Sequence, residues 1–223
     1  MRINKFVAQA TGLSRRAADA AIAAGRVTID GQPAPAGADV TSDQAIALDH
    51  HRLQAPQVHH TIMLNKPVGY VSSRAGQGSQ TIYDLLPVAL HRLKPVGRLD
   101  KDSSGLLLLT DDGELANQLT HPRYAKTKIY EIILDQPLQP LHQQMISDHG
   151  IQLDDGASKL MLSKLDDRGL RWRVSMQEGR NRQIRRTFAA LGYTVTGLHR
   201  THFGAYTLPA DLSAGKHAAI AAI

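Results

Sequence analysis

Cysteine is absent from all 223 residues, so disulfides and cysteine-based zinc centres are excluded outright. The eleven histidines are scattered, none in a His-Glu-x-x-His arrangement, and no metal site is expected. No apolar stretch approaches the ~20 residues of a membrane span. Met1-Arg2-Ile3-Asn4-Lys5 lacks the apolar core of a signal peptide, so a cytoplasmic protein with no membrane partner is expected. Aromatics are few, with three Phe, six Tyr and one Trp, which makes each slightly less easy to set aside as incidental packing. There is no internal repeat or low-complexity segment. What remains is ordinary for a soluble globular chain: 42% hydrophobic and 21% charged residues, enough for one large domain or a small and a medium one.

The net charge of +6 favours a polyanionic partner, and its distribution says more than its sum. Up to Gly31 there are five basic residues, Arg2, Lys5, Arg15, Arg16 and Arg26, against two acidic ones, Asp19 and Asp30. Arg180, Arg182, Arg185 and Arg186 form a second cluster, opposed locally only by Glu178. Two separated basic clusters suit a protein that grips a phosphate backbone at two places.

Ile3, Phe6, Val7 and Ala10 recur at helical spacing up to Gly12. Ser14 can cap a second helix from Arg15 to Ala24, and Val27, Ile29, Ile46 and Leu48 alternate as short strands around an Asp30-Gly31 turn. Leu53 to His60 has no period and contains a proline, so residues 53–60 read as a linker between a unit at 1–52 and another at 61–223. In the second unit strands outnumber interspersed helices, which predicts an α+β domain around a mainly antiparallel sheet. Helices are expected over Thr81–Leu86, Glu114–Leu119, Pro140–His149 and Arg182–Leu191, the last with Asn181 as its cap. Strands are expected over Lys126–Leu134, Ile151–Leu153, Lys159–Leu165, Leu170–Met176 and Tyr193–Leu198. Leu106 to Leu109 is an uninterrupted apolar run between Gly105 and the Asp111-Asp112-Gly113 turn, as in a strand buried on both faces. Asp100 therefore lies on a loop that feeds a core strand, where a carboxylate can be held rigidly at a cleft edge.

Several segments resemble known families. Lys5-Phe6-Val7, Leu13-Ser14-Arg15-Arg16-Ala17 and Gly25-Arg26-Val27-Thr28-Ile29-Asp30-Gly31 resemble the αL RNA-binding domain first described in a small-subunit ribosomal protein. That resemblance implies that basic side chains at the second helix start and on the Gly-Arg-Val strand face an RNA backbone. A helix N-terminus offers unpaired N–H groups there, and Arg15 and Arg16 add full charges beside them. The fifteen residues from Gly97 to Asp111 resemble the signature loop of RNA pseudouridine synthases of the small-subunit-rRNA type, the RsuA/RluB/RluE/RluF family. By that resemblance Asp100 is the catalytic residue. Glu178 to Arg186 matches a second family motif, whose arginine after Gln-Ile implies that Arg185 pairs with Asp100. A guanidinium at contact would keep a carboxylate ionised in an apolar cleft, lowering its pKa by roughly 1–3 units. Lys128-Ile129-Tyr130 matches a third motif and implies that Tyr130 stacks on the target base. Leu198, in Gly197-Leu198-His199-Arg200-Thr201, would pack on the other side, and Asn65-Lys66-Pro67-Val68-Gly69 would support the Asp100 loop. Thr187, where the family usually has an apolar residue, and Gly215-Lys216-His217-Ala218 depart from the pattern.

The resemblance implies a stand-alone, monomeric enzyme that isomerises a uridine to pseudouridine in ribosomal RNA of either subunit, free or within a pre-ribosomal particle. The reaction breaks N1–C1′, turns the uracil and rejoins it through C5, without net gain or loss of atoms. No cofactor is expected, in keeping with the lack of a dinucleotide fingerprint or phosphate loop. Two alternatives stand beside it. A non-catalytic RNA-binding or ribosome-assembly protein would use the same scaffold without the Asp100, Tyr130 and Arg185 set. A hydrolase releasing uracil would need a second carboxylate to place water, for which Asp102 is the nearby candidate.

Overall fold

The computed structural model describes residues 1–41, 43–54 and 59–220; residues 55–58 of the expected linker lie outside them. The chain forms two compact units, one of residues 1–60 with 111–113 and one of 61–110 with 114–223.

In the first unit α1 (Ile3–Thr11) and α2 (Arg15–Ala23) precede four short strands, β1 (Val27–Ile29), β2 (Gln32–Pro33), β3 (Ile46–Leu48) and β4 (His51–Arg52), ordered β2-β1-β3-β4. Gly12 ends α1 in the left-handed region, and the Ser14 hydroxyl accepts from the Ala17 N–H at 3.1 Å to cap α2. Asp30 and Gly31 both take positive φ, 50° and 82°, so the β1–β2 connection is the two-residue turn that suits strand twist. Ile3, Val7, Ala18, Ile22, Val27 and Ile46 fill a core of its own.

The second unit is built on a nine-stranded sheet. Its elements are β5 (Thr61–Lys66), β6 (Lys94–Val96), β7 (Ser104–Thr110), α3 (Gly113–Thr120), β8 (Lys128–Leu134), α4 (Pro140–Gln144), β9 (Ile151–Leu153), β10 (Gly156–Ser158), β11 (Met161–Lys164), β12 (Arg171–Met176), α5 (Gln183–Ala189), β13 (Val195–Phe203), β14 (Tyr206–Thr207) and β15 (His217–Ile220). The order is β11-β12-β8-β13-β7-β5-β15, with β14 beside β13 and β6 beside β7, while β9 and β10 form a separate hairpin. Among the strands of the described residues only β13 and β7 pair in parallel. The α+β class with a mainly antiparallel sheet is thus as the sequence predicts.

β7 is central because Leu106 to Leu109 are fully buried and face two cores, Leu107 and Leu109 on one side, Leu106 and Leu108 on the other. The alternation along β8 likewise turns Tyr130, Ile132 and Leu134 inward. Some boundaries differ from expectation. Thr81–Leu86 holds a single 3₁₀ turn, Ile82–Leu85, and the Pro140–His149 helix changes after one turn into a π-helical segment, Met145–His149. The Tyr193–Leu198 strand begins later and runs on to Phe203, because residues beyond Leu198 find partners in β8 and β14.

Candidate active site

Asp100 sits between β6 and β7 on a loop clamped by its own backbone. Gly69 N–H donates to the Lys101 carbonyl at 2.7 Å, and the Ser72 hydroxyl donates to the Leu99 carbonyl at 2.9 Å. From below, the fully buried Lys66 ammonium donates to the carbonyls of Pro67 and Asp100, both at 3.0 Å, and of Ser103 at 2.7 Å. The segment 65–69 thus contacts the Asp100 loop through the Lys66 side chain and Gly69. Burial pulls the Lys66 pKa down to about 8, while the nearby Asp100 and Asp102 carboxylates oppose the shift.

The arginines approach this loop from the start of α5. The sequence pattern assigns Arg185 to Asp100, but the structure pairs them differently. Arg182 is the ion-pair partner of Asp100, with Nη1 3.6 Å from Oδ2. Arg182 also holds Asp102 in a two-pronged grip at 2.9 and 2.7 Å. Arg185, one helical turn on, places Nε 3.2 Å from the Asp102 carboxylate and donates through Nη2 to the Asp102 carbonyl at 2.8 Å. The cause is backbone conformation: Arg182, with φ 46°, stands in the left-handed region at the helix entrance and is aimed at the loop. Asn181 does not cap the helix either; the Gln183 side chain accepts from the Arg180 N–H at 3.2 Å instead. Hydrogen bonding to Arg182 holds the Asp102 carboxyl below the usual range, and burial pulls Arg185 below the ordinary arginine value. Asp102 thus acts as an anchor for two arginines, a poor arrangement for placing water.

A cavity of about 710 Å³ opens beside this loop. Asp100, Tyr130, Leu198, Arg182, Lys128 and Arg200 all line it. Tyr130 is buried, and Leu198 is partly exposed at the cavity wall. Lys128 donates to the carbonyls of Gln177 and Glu178 at 3.1 and 3.2 Å, and burial lowers its pKa. Arg180 and Arg186 are already engaged by Asp155, at 2.8 and 2.7 Å. In the first unit Arg2 and Arg26 pair with Asp39 and Asp49, and Arg15 makes a long contact of 3.4 Å to Asn4. Arg16 is exposed and Lys5 half-buried. Arg200 is a further residue lining this cavity that sequence reasoning passed over, since an arginine between His199 and Thr201 in a polar strand segment gives no signal of its partners.

The arrangement is a carboxylate on a braced loop at the edge of a cavity walled by an aromatic and an aliphatic side chain. Residues 60–190 match the RNA pseudouridylate synthase family and residues 1–46 the S4 domain family. The chain belongs to the RNA pseudouridylate synthase family, and it is an isomerase. It is 39% identical to ribosomal small subunit pseudouridine synthase A of Yersinia pestis over 97% of this chain and 93% of that one. The protein of the same name from Escherichia coli strain K12 is 36% identical, with 97% and 95% covered. A crystal structure of a pseudouridylate synthase superimposes with a TM-score of 0.71 at 31% identity, covering 99% of this chain and 96% of the other. Among the described residues no group of three or more acidic, His or Cys side chains could hold a metal ion, and no helix is long and apolar enough to cross a membrane.

Proposed function

We propose that the protein converts one uridine of small-subunit ribosomal RNA to pseudouridine, as a monomer, with Asp100 opening the reaction. The observation that carries this reading is that Asp100, Tyr130 and Leu198 line one cavity while both sides of the loop are tied down. The names and near full-length coverage of the relatives support the choice of RNA.

The target base leaves its stack and enters the cavity, at a cost of roughly a few kcal/mol. Tyr130 and Leu198 take the two faces of the ring. Asp100, ion-paired with Arg182, begins the cleavage of N1–C1′ by attack on the sugar or base or by removal of a sugar proton. Arg185 and Arg182 hold Asp102, which fixes the loop carrying Asp100. After the uracil turns, C5 joins C1′, the C5 proton is lost to solvent and N1, freed by the cleavage, takes a proton up. Residues 1–52 form the proposed RNA-binding domain, residues 53–60 the linker and 61–223 the catalytic domain. Arg15 and Arg16 at the α2 N-terminus, with Arg2, Lys5 and Arg26, serve as one backbone grip. Lys128, Arg180, Arg182 and Arg186 serve as the other, after Arg180 and Arg186 exchange Asp155 for phosphate.

The test is tritium release from ribosomal RNA labelled at uridine C5, with nucleoside analysis of the product. Release with pseudouridine and no free uracil is expected. Free uracil would mean hydrolysis, and no release from RNA that the protein binds would mean a binding module.

A further inference from the structure

Arg200 is 2% exposed and lies on β13, two residues beyond Leu198 and directly opposite Tyr130 of β8. Side chains two apart on a strand share a face, and cross-strand pairs stand about 4.5–5.5 Å apart at Cβ. Arg200 therefore shares the sheet face that carries both walls proposed for the base. Its Nε donates to the Leu106 carbonyl at 2.8 Å, and its guanidinium lies 4.9 Å from the centre of the Phe203 ring. Nη2 is buried and has no hydrogen-bond partner. Two other arginines bury an Nε without a well-aligned hydrogen bond, but each faces a carboxylate, Glu178 at 3.1 Å for Arg180 and Asp102 at 3.2 Å for Arg185. Arg200 faces none among the described residues. The charge of Arg200 instead pushes down the pKa values of two neighbouring lysines, Lys66 and Lys128, each of which burial already lowers. The Ser103 hydroxyl, 1% exposed, is a second orphan lining the same cavity.

A buried guanidinium nitrogen without an acceptor is costly, and two orphan polar atoms on residues that line one cavity call for a polar ligand there. We propose that Arg200 contacts the uracil itself, donating from its guanidinium to a ring carbonyl oxygen. This rests on the reading of the site given above. Its depth on the sheet, beside Tyr130 and Leu198, favours the base over a backbone phosphate. A guanidinium only donates, so it pairs with O2 or O4 of uracil, and a contact at O4 excludes cytosine, whose C4 amine offers no acceptor there. It also serves the chemistry. When N1–C1′ breaks heterolytically the bonding pair stays on uracil and spreads onto O2 and O4; when a nucleophile adds at C6, the C5=C6 pair moves towards O4. On either route Arg200 meets negative charge that is absent from the ground state, where a donor accelerates the step.

The experiment uses the full chain and small-subunit rRNA transcribed with uridine, 2-thiouridine or 4-thiouridine, sulfur being a weak acceptor. Single-turnover rates at saturating RNA are read by chromatography of the digested nucleosides. One thio-substitution should slow the wild type by roughly tenfold to a hundredfold, the span of a charge-assisted hydrogen bond. In Arg200→Gln and Arg200→Lys, checked for folding by circular dichroism, the uridine rate should fall and most of that thio penalty should vanish. Equal wild-type rates on all three RNAs, or a penalty unchanged in the folded variants, overturns the proposal while the isomerase assignment stands. No conversion of any RNA by the wild type would instead strike the assignment itself. Should the variants not fold, ultraviolet crosslinking of wild type to 4-thiouridine RNA decides: adducts within Leu198–Phe203 are expected, and adducts solely elsewhere overturn the proposal.

Discussion

At the scale of single residues the site is a set of charges whose roles are separable. Asp100→Asn keeps shape and removes charge, so pseudouridine formation should vanish while folding and RNA affinity stay near normal; measurable turnover by the pure variant would refute the assignment. Asp102→Asn should keep part of the activity, with loss of thermal stability, because both arginines that hold Asp102 lose charge compensation. Lys66 offers a pH signature. Its folded pKa near 8 lies below the ordinary lysine value of 10.5, so between these two values the unfolded chain binds the proton and the folded chain does not. Its contribution to stability is therefore flat below about 8 and rises with pH up to about 10.5. Urea unfolding of wild type and Lys66→Met across that window should show the rise only in the wild type. At neutral pH the variant should be less stable by about 3 kcal/mol, since three loop carbonyls lose their donor. A flat difference between the two proteins would show that Lys66 remains charged throughout.

Among the elements, β7 was readable because four consecutive leucines can only be satisfied between two apolar layers. The α2 cap at Ser14 and the Asp30-Gly31 turn were readable for a similar reason, each being a local choice made by the residue itself. β15 was not, since His217-Ala218-Ala219-Ile220 has weak strand preference and gains its form from pairing with β5. The partner of Asp100 was equally hidden. Spacing puts Arg182 and Arg185 on one face but does not say which reaches furthest, and the left-handed conformation at Arg182 decides that. Gly105 shows how tightly the elements bearing the site meet. Its φ is +102°, and a Cβ there would stand 2.2 Å from the Arg200 carbonyl oxygen, so neither backbone strain nor space admits a side chain. Gly105→Ala should force β13 away from β7, destabilise the second unit by several kcal/mol, on the order of 3, and displace both Asp100 and Arg200. Chemical unfolding and single-turnover assay of this variant should fall together; a stable, fully active Gly105→Ala would mean that the parallel β7–β13 pair has slack.

For the molecule as a whole, the two units carry separate hydrophobic cores among the described residues, one from Ile3 to Ile46 and two drawn from Ile62 to Phe203 and Tyr206. Separate cores allow separate duties: backbone capture by the first and chemistry by the second. Replacing Arg15 and Arg16 by Ala should weaken RNA binding and lower the slope of its salt dependence by up to about two charges' worth, since each phosphate contact contributes roughly 0.7–0.9 to that slope. The chemical step at saturating RNA should not change. A chain beginning at His59 should fold with its cavity intact, because β5 is completed by β7 and β15 from within the second unit. It should bind structured RNA poorly, yet approach the full-length single-turnover rate once RNA is saturating. Thermal unfolding tests the first half of this statement and rate against RNA concentration the second. An insoluble truncated chain would mean that the second unit needs the first in order to fold. A soluble one whose maximal rate stays far below that of the full chain would mean that residues 1–58 help to shape the chemistry, and that binding and catalysis are not divided along the chain as proposed.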